Sequence, residues 1–259
     1  MQLIPFIPYS LDDDPVIDAI RAEGAADPDV IGILVTGSRA LGAVTAESDY
    51  DVIFIVSDET MGRYERENRE PQRGGTIDPP IDTADIQWHE CPRTLRSYNT
   101  FGADVCRVIY DRTGEVSALA EELGRMPEEQ AREKAAASYE VYLNSMFRSL
   151  KCWRRGDELG GRLNAAQSVD SLLDTLFALE RQWRPFASRV YLHIEKLTGQ
   201  GWQDGELRRI LLDLLATGDP RRQQEIARRV IGLMAERGYG HVYDGWPGER
   251  IDAALAWSF

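Results

Sequence analysis

Two apolar, β-branched runs lie close together near the start of the chain, VIGILVTG over residues 30–37 and DVIFIVSD over 51–58. Each reads as a buried strand. The stretch between them is too short for an ordinary crossover helix with its loops, so it can hold only a tight excursion. That excursion, GSRALGAVTAESDYD, carries a Gly-Ser turn, Gly37-Ser38, at the exit of the first strand and two carboxylates, Asp49 and Asp51, at the entrance of the second.

Asp49 and Asp51 are two residues apart at a strand start, which puts both side chains on one face and Tyr50 and Val52 on the other. Carboxylates held side by side repel unless a cation sits between them. Hard oxygen ligands on one face suit Mg²⁺ or Mn²⁺, completed by water and substrate phosphates. A third strand is expected over 84–90, ADIQWHE, where a period of two turns Asp85, Gln87 and His89 to one face and Ile86, Trp88 and Glu90 to the other. Asp85 is therefore the expected third oxygen ligand, with Asp78 and Asp82 as competitors and Glu90 as the fallback. Three such carboxylates suit phosphoryl transfer from a triphosphate. A glycine at the end of a buried strand lets backbone N–H groups approach a phosphate, and the Ser38 hydroxyl adds a donor. Neither a Walker A loop nor a G-x-G-x-x-G fingerprint is present.

Around these strands the pattern predicts a first helix over 12–23, a short helical piece and then a loop over 60–82, a helix over 91–103, a fourth strand over 104–114 and a helix closed by Gly124. Alternating strands and helices make an α/β unit of about 120 residues. Past Met126-Pro127 the spacing is helical throughout, with stripes such as Tyr139, Tyr142, Leu143, Met146, Phe147 and Leu150. Opposite that stripe Asn144, Arg148, Lys151 and Arg155 recur at steps of four and three. Asp170 and Asp174 sit one helical turn apart.

A net charge of −13 sets the surface against long nucleic-acid partners and in favour of cations. Cys91, Cys106 and Cys152 have neither metal-type spacing nor an even count, which fits a reducing compartment. With no basic leader and no apolar stretch of transmembrane length, the expectation is a cytoplasmic protein without a membrane partner.

A strand ending in Gly-Ser, ten intervening residues and then Asp-x-Asp among apolar neighbours resembles the polymerase-β-like nucleotidyltransferase superfamily. The likeness is to its small bacterial two-domain members, among them aminoglycoside and lincosamide nucleotidyltransferases. The resemblance implies an α/β (α+β) fold, with a catalytic domain over 1–126 built on a small mixed sheet and an all-α bundle over 127–259. It also implies metal ligands at Asp49, Asp51 and Asp85, with Asp85 as ligand, general base or both, and nucleotide contacts at Gly37 and Ser38. Arg148 and Lys151 would hold the triphosphate. The implied reaction moves a nucleoside monophosphate, AMP from ATP, onto a hydroxyl of a small acceptor and releases pyrophosphate. An acidic protein favours a cationic acceptor, which is consistent with antibiotic-resistance chemistry. The rival expectations are AMP transfer onto a protein in a toxin-antitoxin pair and a non-catalytic nucleotide sensor. The chain is expected to be a monomer or homodimer.

Overall fold

The structure, a computed structural model, describes residues 4–69, 81–92, 106–246 and 248–259. It is α+β, with a small mixed sheet and a helical C-terminal region. The chain divides into two compact units, Met1–Arg125 and Met126–Phe259.

The first unit opens with helix α1, Pro15–Ala26. Asp14 caps it by accepting the Val16 N–H at 2.9 Å, and Pro15 occupies the first turn, where no intrahelical donor is lost. Strand β1, Val30–Thr36, runs into α2, a single turn over Gly37–Ala40. Strand β2, Tyr50–Val56, and helix α3, Asp58–Arg66, follow. Strands β3, Ile81–Gln87, and β4, Arg107–Asp111, complete a four-stranded sheet in the order β3-β2-β1-β4. β1 pairs antiparallel with β2 and β4, whereas β2 and β3 are parallel.

One face of the sheet packs Val35, Tyr50, Val52, Phe54 and Val56 against Ile17 and Ile20 of α1 and Tyr64 of α3. A register shift in β1 between Val30 and Gly32 lets Val30, Ile33 and Val35 share that face. On the opposite face Gly32 takes Val116 from helix α4, Glu115–Leu123; a Cβ at Gly32 would come within 2.6 Å of the valine. The turn into α4 is tied by Asp111, whose carboxylate accepts the N–H groups of Gly114 and Ser117, both at 2.8 Å.

Two elements differ from the sequence expectation. β3 begins at Ile81 instead of 84 and ends at Gln87, after which Trp88–Glu90 form a 3₁₀ turn. β4 is shorter than 104–114. Most of the expected 91–103 helix and most of the expected loop after α3 lie outside the described residues.

In the second unit α5, Glu128–Arg154, and α6, Glu158–Leu179, are joined by three residues, among them Gly156 in a left-handed conformation. Asp157 caps α6 by accepting the Gly160 N–H at 2.8 Å. Helices α7, Glu206–Thr217, α8, Pro220–Glu236, and α9, Gly248–Leu255, complete the core. That core buries Tyr139, Leu143, Met146, Leu150, Leu172, Leu176, Phe177 and Val230 completely. No described helix is long and apolar enough to cross a membrane.

Candidate active site

Asp49, Asp51 and Asp82 bring one carboxylate oxygen each to within 4.8 Å of one another. The β2–β3 register produces this meeting. Asp51 stands opposite Asp82, so both side chains leave the sheet on the same side, and Asp49 joins them two residues upstream. The two DxD residues are half-buried and Asp82 is exposed. Among the described residues this is the one group of three or more His, Cys, Asp or Glu side chains close enough to share a metal ion. Without a cation each fully charged pair repels by on the order of 3 kcal/mol at an effective dielectric of ~20, less where water screens it. The donor set is three hard carboxylates, the type that Mg²⁺ or Mn²⁺ takes.

Asp85 occupies a different place. It stands opposite Phe54, three residues beyond Asp82 and therefore on the opposite sheet face, and is 6% exposed. The carboxylate brought to Asp49 and Asp51 is thus Asp82, where the sequence pointed to Asp85. Strand parity is the reason. Starting the strand at 84 left Asp82 in the preceding loop, while the parallel ladder extends to Ile81 and places Asp82 beside the Asp-x-Asp pair. His89, expected on the Asp85 face, lies in the 3₁₀ turn, where its Nδ1 is 2.8 Å from Asp58.

Gly37 and Ser38 form the turn beside this cluster. Gly37 has φ +72°, and a Cβ on it would lie 1.9 Å from Asp51 Oδ2, so both its conformation and its contact with the carboxylate call for glycine. Ser38 is half-buried, and its carbonyl accepts the Ala43 N–H at 3.0 Å, closing the loop back on the turn.

A second group of residues lies behind the loop. Arg39, 7% exposed, donates from Nε to the Asp49 carbonyl and from Nη2 to the Ser48 carbonyl, both at 2.9 Å. Its guanidinium lies 3.5 Å from the Tyr50 ring centroid and 3.5 Å from Asp14 Oδ2. Asp14 also accepts the hydroxyls of Tyr9 at 2.8 Å and Tyr50 at 2.9 Å. Burial pushes the Asp14 carboxyl up, but the hydrogen bonds from Tyr9, Tyr50 and the Val16 backbone outweigh it and hold the group below its usual range. Burial and the Asp14 contact push the Tyr50 phenol up to about 12. Sequence patterning assigned Arg39 no role, because its closest partners are main-chain carbonyls; the one signal present was a charged residue inside an otherwise apolar and glycine-rich turn.

Arg148 and Lys151 lie on α5 in the second unit. Arg148 Nε donates to Asn144 Oδ1 at 3.1 Å, and the Lys151 ammonium sits 5.4 Å from the Phe147 ring centroid. Asp170 and Asp174 are counter-ions. Arg184 reaches them at 2.5 and 3.2 Å, and Lys134 reaches Asp174 at 3.5 Å.

A family model described as a domain of unknown function, DUF4037, matches residues 92–188. No curated protein matches the chain. Among solved structures, a nucleotidyltransferase-like protein from Exiguobacterium sibiricum 255-15 is similar at 13% identity. That match covers 92% of this chain and 76% of the other, with a TM-score of 0.42.

Proposed function

We propose that the protein is a metal-dependent nucleotidyltransferase that moves a nucleoside monophosphate, AMP from ATP, onto a hydroxyl of a small acceptor. The observation that carries this reading is the meeting of Asp49, Asp51 and Asp82 beside the Gly37-Ser38 turn. Asp49 and Asp51, with Asp82, would hold Mg²⁺ or Mn²⁺. The ion, when bound, neutralises charge on the triphosphate as it builds on the leaving oxygen.

The chain's own groups supply the remainder. Backbone N–H groups at Gly37-Ser38 and the Ser38 hydroxyl are donors for phosphate oxygens. The acceptor hydroxyl oxygen attacks the α-phosphorus and forms a new P–O bond. The bond from that phosphorus to the oxygen bridging toward the β-phosphate breaks, and pyrophosphate leaves with the electron pair. The hydroxyl proton passes to a carboxylate, a role we assign to Asp82 because it is the exposed member of the three. A net charge of −13 favours a cationic acceptor.

Incubation with Mg²⁺ and each α-labelled nucleoside triphosphate, against a panel of hydroxylated amines, tests the reading through pyrophosphate release and label transfer. Transfer that disappears in Asp49→Asn and Asp51→Asn, both still folded, supports it. Near-normal turnover in both variants defeats it, and nucleotide binding without turnover on any acceptor favours the sensor.

A further inference from the structure

We propose that Arg39 is a positioning residue of the carboxylate site, holding Asp49 beside Asp51 and Asp82 by clamping the carbonyls of Ser48 and Asp49. The inference rests on the metal-binding reading of that site.

Three observations lead to it. The tight bonds of the guanidinium, both at 2.9 Å, go to the two residues that immediately precede β2, whereas its ion pair with Asp14 is longer at 3.5 Å. The clamp is therefore directed at the chain that carries the first carboxylate, with Asp14 as its backing. The same short turn also touches the second acid, because Gly37 lies against the Asp51 carboxylate two residues before Arg39. One turn of α2 thus sets both residues of the Asp-x-Asp pair, one through its main chain and one through its side chain.

The guanidinium is itself fixed. Its central carbon lies over the Tyr50 ring, 3.5 Å from the centroid, the Tyr50 hydroxyl donates to Asp14, and Asp14 is anchored by Tyr9 and by the first turn of α1. Such a planar fork, stacked on a ring and bonded to two carbonyls, is geometry an ammonium cannot reproduce. Mutual repulsion among three acids acts to spread them. A clamp that is buried, cationic and tied to the backbone through the Ser48 and Asp49 carbonyls opposes that spreading.

Mn²⁺ titration followed by the electron paramagnetic resonance of the free ion tests this, using the full chain, Asp49→Asn, Arg39→Lys and Arg39→Gln, with thermal melts to establish folding. Arg39→Lys keeps the charge and Arg39→Gln keeps a donor, so neither deletes the contact outright. Mn²⁺ affinity is expected to fall about 10- to 100-fold in the folded Arg39 variants, as for other residues that orient metal ligands. A folded Arg39 variant binding Mn²⁺ within about twofold of the parent overturns the proposal. So does failure of both variants to fold, which assigns Arg39 to the core alone. If the parent chain binds Mn²⁺ no better than Asp49→Asn, the metal-site reading itself fails and takes this inference with it.

Discussion

The Asp51 carboxylate lies against the Cα of Gly37, so closely that a methyl group there would meet Oδ2 at 1.9 Å. Gly37→Ala must therefore both hold an alanine at φ +72° and push the carboxylate away from its partners. The backbone alone costs about 1–2 kcal/mol. We expect a lower urea midpoint of that order together with a loss of Mn²⁺ binding, measured on the same preparation.

Asp82 and Asp85 separate by strand parity. Asp82→Asn should lower nucleotidyl transfer by about 100-fold or more, since it removes both a ligand and the proposed proton acceptor. Stability should hold or rise as repulsion with Asp49 and Asp51 is relieved. Asp85→Asn, on the helix-covered face, should alter stability while transfer per folded molecule persists. The opposite pattern in steady-state rates would place the third ligand at Asp85.

Asp14 gives the first unit a pH signature. Its carboxyl has a folded pKa below the usual 3.8, with burial opposing and the Tyr9, Tyr50 and backbone hydrogen bonds prevailing. A depressed value means the stabilisation is fully present above 3.8 and is lost as pH falls through the folded value. Asp14→Asn should therefore be less stable than the parent at pH near 7, and the gap in urea midpoints should close below pH ~4. A gap unchanged at pH ~3 would show that the carboxylate charge is not what Asp14 contributes.

The helical unit depends on a buried polar relay. Gln223 donates to Ser149 Oγ at 2.9 Å and to the Gly218 carbonyl at 2.8 Å, and Ser149 donates to the Gly161 carbonyl at 2.7 Å, so α5, α6 and α8 are linked through one hydroxyl. Ser149→Ala leaves one buried Gln223 N–H without its acceptor and removes the second contact of the Gly161 carbonyl, at a cost of about 1–3 kcal/mol. Differential scanning calorimetry should register the loss.

Much of the first unit was legible because its signals are local. β1 and β2 are continuous β-branched runs, and Asp49 and Asp51 share a face by spacing alone. The helical stripe from Tyr139 to Leu150 reads directly as the buried face of α5. Asp82 was not legible in the same way, since Ile-Asp-Thr is a weak strand former and becomes one only through its parallel ladder with Tyr50, Asp51 and Val52. Register between distant strands is a tertiary property. Arg39 escaped for a related reason, because a side chain that satisfies carbonyls leaves no residue-type pattern to find.

The sheet order β3-β2-β1-β4 places the two strands made first at its centre. During synthesis the β1–β2 hairpin, with its Gly-Ser turn and first two acids, leaves the ribosome before either flanking strand exists. Growth then proceeds outward on both sides, and the carboxylate trio is complete only once residue 82 docks. A nascent chain halted before that point carries two of the three acids, so the carboxylate cluster cannot seed the folding of this unit and is instead one of its last parts to assemble.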